Sequence, residues 1–275
     1  MRGGVVVTGA SSGIGAAVAH RLGQAGYRVF GTVRRAEDSA SVERDGVVAV
    51  RMDVTDGDSI AAAREQVEHH LGTLPLVAVV NNAGVAAAGP LEHLPLDDLR
   101  RVLEVNVVGL VAVTQAFLPA LRRSRGRVIN IGSVSGLVAL PFAGPYAASK
   151  FAVEAVSDSL RRELIPSGVR VVLIQPGSIA TPIWDKLAGF DLDRYRDTPY
   201  AQVLPRVLER SLRRGRRGLP AETVADAVLT ALSAPRPRTR MLVVRRPLAA
   251  RLARLLPDRW LDRQVAKAIW QPLRS

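Results

Sequence analysis

The sequence predicts an α/β fold, a doubly wound parallel sheet in three layers. Short β-branched runs alternate with helical patterns along most of the 275 residues. Two of those runs, Val77-Ala-Val-Val80 and Val171-Val-Leu-Ile174, are apolar at every position, as strands covered by helices on both faces must be. The first strand also runs straight into a glycine-rich turn that opens a helix. In such a sheet ligands gather beyond the C-terminal ends of the strands.

Taken in order, strands are predicted over 4–8, 27–33, 47–54, 76–81, 127–133, 169–175 and 239–244. Helices are predicted over 13–25, 37–44, 58–71, 96–121, 145–164 and 221–234, with a less regular stretch at 184–219. No internal repeat or low-complexity linker interrupts them. The expected organisation is one domain over 1–246, carrying a substrate lid at 184–219, and a basic amphipathic tail over 247–275.

A chain that is 48% hydrophobic can fill a single large core. It has no cysteine, which excludes disulfides, thiolate nucleophiles and cysteine-ligated metals and suits a cytoplasmic location. His20, His69, His70 and His93 form no ligand cluster, so no metal is expected. Val5-Val6-Val7 already reads as a buried strand, so no secretory signal is expected ahead of it. The long apolar stretch 105–121 is broken by Asn106, Thr114, Gln115 and Pro119. It falls short of the roughly 20 apolar residues of a membrane span and reads as a buried helix.

The net charge of +13 is local: residues 1–204 hold 21 basic and 20 acidic side chains, residues 205–275 hold 17 and 5. No reading helix or aromatic platform accompanies those arginines, so nucleic acid is not the expected partner.

The chemistry concentrates in a few short motifs. Thr8-Gly9-Ala-Ser11-Ser12-Gly13-Ile14-Gly15 joins the first strand to the first helix. Glycines there permit a tight turn and let a pyrophosphate approach backbone N–H groups at a helix N-terminus. Pro145 suits a first helical turn, which sets Tyr146 and Lys150, four apart, on one face. An ammonium beside a phenol is expected to lower the phenol's pKa and ready it for general acid–base work.

With Asn81-Asn82-Ala83-Gly84, Asn106-Val-Val-Gly109, Ser133, Tyr146-Ala-Ala-Ser-Lys150, Pro176-Gly177 and Thr181 in this order, the chain resembles the short-chain dehydrogenase/reductase family over about residues 3–182. The resemblance implies a Rossmann fold and an oxidoreductase acting on CH–OH or C=O groups. It implies that Ser133 hydrogen-bonds the substrate oxygen and that Tyr146 gives or takes its proton. Lys150 then binds the nicotinamide ribose, and Asn106 positions a water in a relay to Lys150. Gly9, Ser11, Ser12, Gly13, Ile14 and Gly15 are expected around the pyrophosphate. Asn82, Ala83 and Gly84 are expected at the adenosine ribose, and Pro176, Gly177, Ile179 and Thr181 on the nicotinamide side. Asp53, followed by Val54, either meets the adenine amino group or merely caps the following helix.

Cofactor choice turns on the end of the second strand. Where NAD enzymes carry an acidic residue stands Val33, followed by Arg34 and Arg35. An arginine accommodates a 2′-phosphate, so NADP(H) is expected over NAD(H). Ser12 is not basic, so only half of the usual NADP signature is present.

The second strand and the segments 236–240 and 255–259 resemble the branch with 17β-hydroxysteroid and retinol dehydrogenase-like members. That implies a lipophilic alcohol or ketone, which apolar lid residues such as Trp184, Phe190, Tyr195 and Tyr200 could cover. A ketoreductase for carrier-bound acyl groups and a non-catalytic NADP-sensing module are the alternatives. In the tail, Leu248, Leu252, Leu255 and Leu256 share one helical face opposite Arg251 and Arg254. Leu261, Val265, Ala268 and Ile269 form a second stripe, with Trp260 and Trp270 nearby. Three readings stand for this tail: contact with the enzyme's own lid, contact with a second subunit, or an anionic membrane surface. A homodimer or homotetramer through the helices at 96–121 and 145–164 is implied by the same resemblance.

Overall fold

In a computed structural model, which describes residues 2–247 and 256–270, the strands form one parallel sheet. They are β1 (Gly4–Val7), β2 (Arg28–Val33), β3 (Val47–Arg51), β4 (Leu76–Asn81), β5 (Arg127–Ile131), β6 (Arg170–Pro176) and β7 (Arg240–Val243). Their spatial order is β3-β2-β1-β4-β5-β6-β7. The chain winds outward from β1 to β3, then returns to lay β4 on the other side of β1. That reversal opens a crevice beyond the ends of β1 and β4, where a doubly wound sheet takes its ligand.

The described helices are α1 (Gly13–Gln24), α2 (Gly57–Leu71), α3 (Leu96–Leu103), α4 (Gly109–Ser124), α5 (Gly144–Glu163), α6 (Ile183–Ala188), α7 (Leu204–Arg216), α8 (Ala221–Ser233) and α9 (Asp258–Trp270). Strand side chains alternate between two cores. Val5, Val7, Ala78, Val80, Ile129 and Val172 meet Val18 and Leu22 of α1 and Val224 and Val228 of α8. Val6, Val79, Val128 and Val171 meet Ile60 and Val67 of α2 and Phe117 and Leu121 of α4. The edge strand β7 is tied to α5 by Arg240, which reaches Glu154 at 3.0 Å and Asp158 at 2.9 Å.

Several predicted elements end elsewhere, each for a local reason. The strand predicted over 47–54 stops at Arg51, because Asp53 Oδ1 accepts from the Thr55 N–H at 2.9 Å and turns the chain. Residues 37–44 form only a short 3-10 turn, Ala36–Ser41, fastened by the Ser41 hydroxyl donating to the Asp38 carbonyl at 2.6 Å. The strand over 127–133 stops at Ile131, and Ser133 instead caps a 3-10 turn over Val134–Gly136.

The helix predicted over 96–121 is α3 and α4 joined by a π turn, Glu104–Val108. The run Leu96–Ser124 has the length and composition of a membrane-crossing helix. Its Val113, Phe117 and Leu121 nevertheless lie in the sheet's second core.

The stretch at 184–219 is more ordered than expected and carries α6 and α7. Trp184 lies flat where a Gly215 side chain would stand and donates from Nε1 to the Ile179 carbonyl at 2.7 Å. In α9, Leu261, Val265 and Ile269 are half-buried while Ala268 is exposed. Arg210 of α7 donates to the Ala268 carbonyl at 2.8 Å, so α9 is fastened to α7. Of the stripe Leu248, Leu252, Leu255 and Leu256, Leu256 is exposed, and the other three, with Arg251 and Arg254, lie outside the described residues.

Candidate active site

The dinucleotide end is built around Thr8. Its hydroxyl oxygen accepts from the backbone N–H groups of Asn82 at 2.9 Å and Ala83 at 2.8 Å. In return Asn82 Nδ2 donates to the carbonyls of Thr8 at 2.9 Å and Gly9 at 3.1 Å. These bonds lace the ends of β1 and β4 together at the switch point. Gly9 has φ +65°, and an added Cβ would lie 2.9 Å from Ala83 Cα. At Gly15 a Cβ would lie 2.1 Å from the Gly9 carbonyl oxygen. The turn therefore folds onto α1 more closely than any side chain allows.

Ser12 enters α1 extended, without a side-chain cap, and no acidic residue stands in the first turn. Backbone N–H groups at such a terminus favour an anion, and the loop fits a pyrophosphate. Ser11 and Ile14 are half-buried beside it, Ser12 exposed. Thr181 faces the loop, 3.3 Å from where a Gly13 Cβ would be.

At the end of β2, Val33 is buried while Arg34 and Arg35 are exposed. Arg35 is engaged by Asp38 at 3.1 Å and Glu37 at 3.4 Å. Arg34 lies close to Asp53. Hydrogen bonds from the Thr55 N–H and hydroxyl, with the Arg34 charge added, hold the Asp53 carboxyl below its ordinary pKa. The helix-cap reading of Asp53 does not hold: Asp56 caps α2, accepting from the N–H groups of Asp58 at 3.0 Å and Ser59 at 3.3 Å, while Asp53 Oδ1 fastens the turn ahead of it. Val54 is buried against Gly109 of α4.

Beyond β5 and β6, Ser133, Tyr146 and Lys150 come together. Ser133 Oγ accepts from the Ser135 N–H at 3.0 Å and is hydrogen-bonded to Tyr146. Pro145 stands in the first turn of α5. One turn on, Lys150 is 7% exposed, donates from Nζ to the Ile131 carbonyl at 2.9 Å, and lies 5.5 Å from the Tyr146 ring centroid. The expected lowering of the phenol pKa does not appear. Burial pushes the Tyr146 hydroxyl up, opposed by the Ser133 hydrogen bond. Burial also brings Lys150 down to about 8. The reason is desolvation, which penalises both charged forms, while the ammonium is turned to a backbone carbonyl.

Asn106, 2% exposed, lies in the π turn. Its Nδ2 donates to the Val85 carbonyl at 2.9 Å and Ser149 Oγ at 3.0 Å, and its Oδ1 accepts from the Val85 N–H at 2.8 Å. The side chain therefore pins the segment after β4 to α5, and a Cβ on Gly84 would crowd Oδ1 at 3.2 Å. Pro176 ends β6, and the Gly177 N–H bonds the Val243 carbonyl at 2.9 Å. Ile179 bridges to Leu219 with its side chain in the core.

Sequence reasoning missed Thr8 and Ser149 as site-building residues. Both sit inside quoted motifs, but their hydroxyl partners lie 74 and 43 positions away. Asn81 belongs to a different structure. Its Nδ2 donates at 2.9 Å to both Thr114 Oγ1 and Asn130 Oδ1 inside the sheet's second core. A groove of about 750 Å³ between α8 and β7, lined by Thr223, Ala227 and Met241 among others, holds none of Asn106, Ser133, Tyr146 and Lys150.

A doubly wound sheet with a glycine turn at the head of α1 and a Ser–Tyr–Lys cluster beyond β5 defines a nicotinamide-dependent oxidoreductase. The family model described as short chain dehydrogenase matches residues 4–190, and the chain belongs to that family, in its retinol and hydroxysteroid dehydrogenase-like branch. Its reactions join CH–OH and C=O groups. It is 40% identical to an NADPH-dependent 3-dehydrocapnine reductase of Ornithobacterium rhinotracheale, over 94% of each chain. It is 38% identical to retinol dehydrogenase 16 of Mus musculus, over 86% of this chain and 78% of that one. A short-chain dehydrogenase/reductase of Burkholderia phymatum, solved with NAD, superposes with TM-score 0.79 at 26% identity, over 95% of each chain.

Proposed function

We propose that this protein is an NADP(H)-dependent oxidoreductase of lipophilic alcohols or ketones in which Tyr146 moves the substrate proton. The observation that carries this reading is the meeting of Ser133, Tyr146 and Lys150 beyond β5, with Lys150 Nζ 5.5 Å from the Tyr146 ring. When bound, the nicotinamide supplies or accepts the hydride at the reacting carbon. Ser133 holds the substrate oxygen, and Tyr146 protonates it during reduction or deprotonates it during oxidation. Lys150, brought down to about 8 by burial and held by the Ile131 carbonyl, holds the nicotinamide ribose. Asn106 fastens the wall beside them and is the anchor of the water relay.

Support for NADP(H) comes from Val33 in place of a carboxylate, from exposed Arg34 beside Asp53, and from the printed cofactor of the Ornithobacterium relative. Support for a lipophilic substrate comes from the aromatic lid and from retinol as the namesake substrate of a relative. Asp53 Oδ2 is assigned to the adenine amino group.

The test is a screen of oxidation and reduction with both cofactors across steroids, retinoids, aliphatic ketones and carrier-linked ketoacyl groups. Tyr146→Phe accompanies it, and should cut kcat by about 10²–10⁴-fold while dinucleotide affinity stays within a few fold. A Tyr146→Phe enzyme that keeps a tenth of wild-type kcat sinks the proton-transfer role. Turnover confined to carrier-linked substrates sinks the free lipophilic one.

A further inference from the structure

Phe142 stands four residues before Tyr146, on the segment that leads from β5 into α5, and has φ +67°. An aromatic side chain rarely enters that region. Such strain persists where surroundings hold it, and it clusters at ligand clamps. Here the Gly89 N–H donates to the Phe142 carbonyl at 2.8 Å. The ring in turn meets two others. Tyr200, from the segment between α6 and α7, lies 5.8 Å away at 77°, and Trp270 of α9 lies 6.2 Å away at 63°. Tyr200 and Trp270 are themselves 6.3 Å apart. Edge-on contacts of this kind are the favoured geometry between aromatic rings.

Three remote parts of the chain thus share one aromatic collar, and each is separately fastened. The Tyr200 hydroxyl donates to Glu92 Oε2 at 2.9 Å, on the segment following β4. Arg210 caps the C-terminal end of α9 at the Ala268 carbonyl, where helix carbonyls lack partners and a cation is favoured. Trp270 remains 49% exposed, so much of its apolar surface is available beside the loop that delivers Tyr146.

We propose that α9 completes the substrate site, with Trp270 as a specificity-determining residue on its outer wall. It receives the part of the substrate that extends away from the reacting carbon, an extended alkyl chain or a flat ring. This assignment rests on the lipophilic-substrate reading above and adds the tail to it. This helix is then part of the enzyme's selectivity, and it acts with the lid as one cover.

The experiment compares wild type, Trp270→Ala and Trp270→Phe in NADPH-dependent reduction of butanone and undecanone. The ratio of kcat/KM for undecanone to that for butanone should fall about tenfold in Trp270→Ala, mainly through KM, the lower end of what one methylene of pocket contact carries. Trp270→Phe should restore most of it. An unchanged ratio, or equal losses for both ketones, overturns the proposal. If wild type reduces neither ketone, the lipophilic-carbonyl reading falls by itself. Equilibrium dialysis of undecanone against the NADPH-loaded proteins then decides the collar: tighter binding by wild type than by Trp270→Ala supports it, and equal binding overturns it.

Discussion

At the scale of single residues, desolvation governs the site. Lys150 carries a pKa of about 8 against an ordinary 10.5, so folding disfavours its charged form. Below pH 8 both folded and unfolded chains hold the proton and the destabilisation is complete. Between pH 8 and 10.5 the unfolded chain binds more protons, so stability rises with pH. The shift corresponds to about 3 kcal/mol. Tyr146, shifted upward by burial, works the other way above its unfolded value near 10. The comparison that isolates the lysine is urea unfolding of wild type and Lys150→Met at pH 7 and pH 10. The variant's relative advantage should shrink by about 2–3 kcal/mol at the higher pH, and a constant difference would contradict the burial account.

Cofactor choice belongs to the same scale. Arg35 is engaged by Asp38 and Glu37, which leaves Arg34 the better-placed guanidinium. Arg34→Ala should weaken NADPH binding by about 1.5–3 kcal/mol and move the kcat/KM ratio toward NADH. Val33→Asp should move it further, through repulsion of a 2′-phosphate. Steady-state rates with both cofactors at fixed ionic strength decide it. Wild-type preference for NADH would refute the assignment.

At the scale of elements, the turn between β1 and α1 is held in shape by a side chain outside its glycines. Thr8 is buried, and its hydroxyl is the acceptor for the backbone N–H groups of Asn82 and Ala83. Thr8→Val keeps the volume and strands both donors, each at about 1–3 kcal/mol when buried. The expected outcome is a lower urea midpoint with unchanged m-value, together with weaker NADPH binding by fluorescence titration. Wild-type values for both would mean that water replaces the hydroxyl. The π turn is the other element-level feature. Asn106 can reach both Val85 and Ser149 from this interruption between α3 and α4, and such insertions are frequent at functional sites.

At the scale of the molecule, the sheet order brings β1, β4 and β5 side by side, so the glycine turn and the Ser–Tyr–Lys cluster share one edge. Assembly belongs to this scale too. Phe151 on α5 is 45% exposed and Val108 at the head of α4 is 50% exposed. A homodimer or homotetramer through α4 and α5 would cover apolar surface of this kind. Sedimentation velocity should therefore give a multiple of the 29.5 kDa chain mass, with Phe151→Glu shifting it toward monomer. A monomeric wild type would remove the expectation.

The sequence by itself determined the strand–helix alternation, the glycine turn, the Tyr146–Lys150 helix face and the family, because those depend on local periodicity and spacing. Even so, it overran element ends at Asp53 and Ser133, where a side chain captures a backbone N–H and redirects the chain. Only the tertiary structure decided the electrostatics and the long-range lacing. Lys150 is close to Tyr146 in both accounts, but the direction of the phenol's shift depends on how much water burial removes. The partnerships of Thr8 with Asn82, of Asn106 with Ser149 and of Trp270 with Phe142 join residues far apart in the chain. No local pattern encodes them, because a hydrogen bond or ring contact is set by distance in space, and that distance exists only once the sheet has formed.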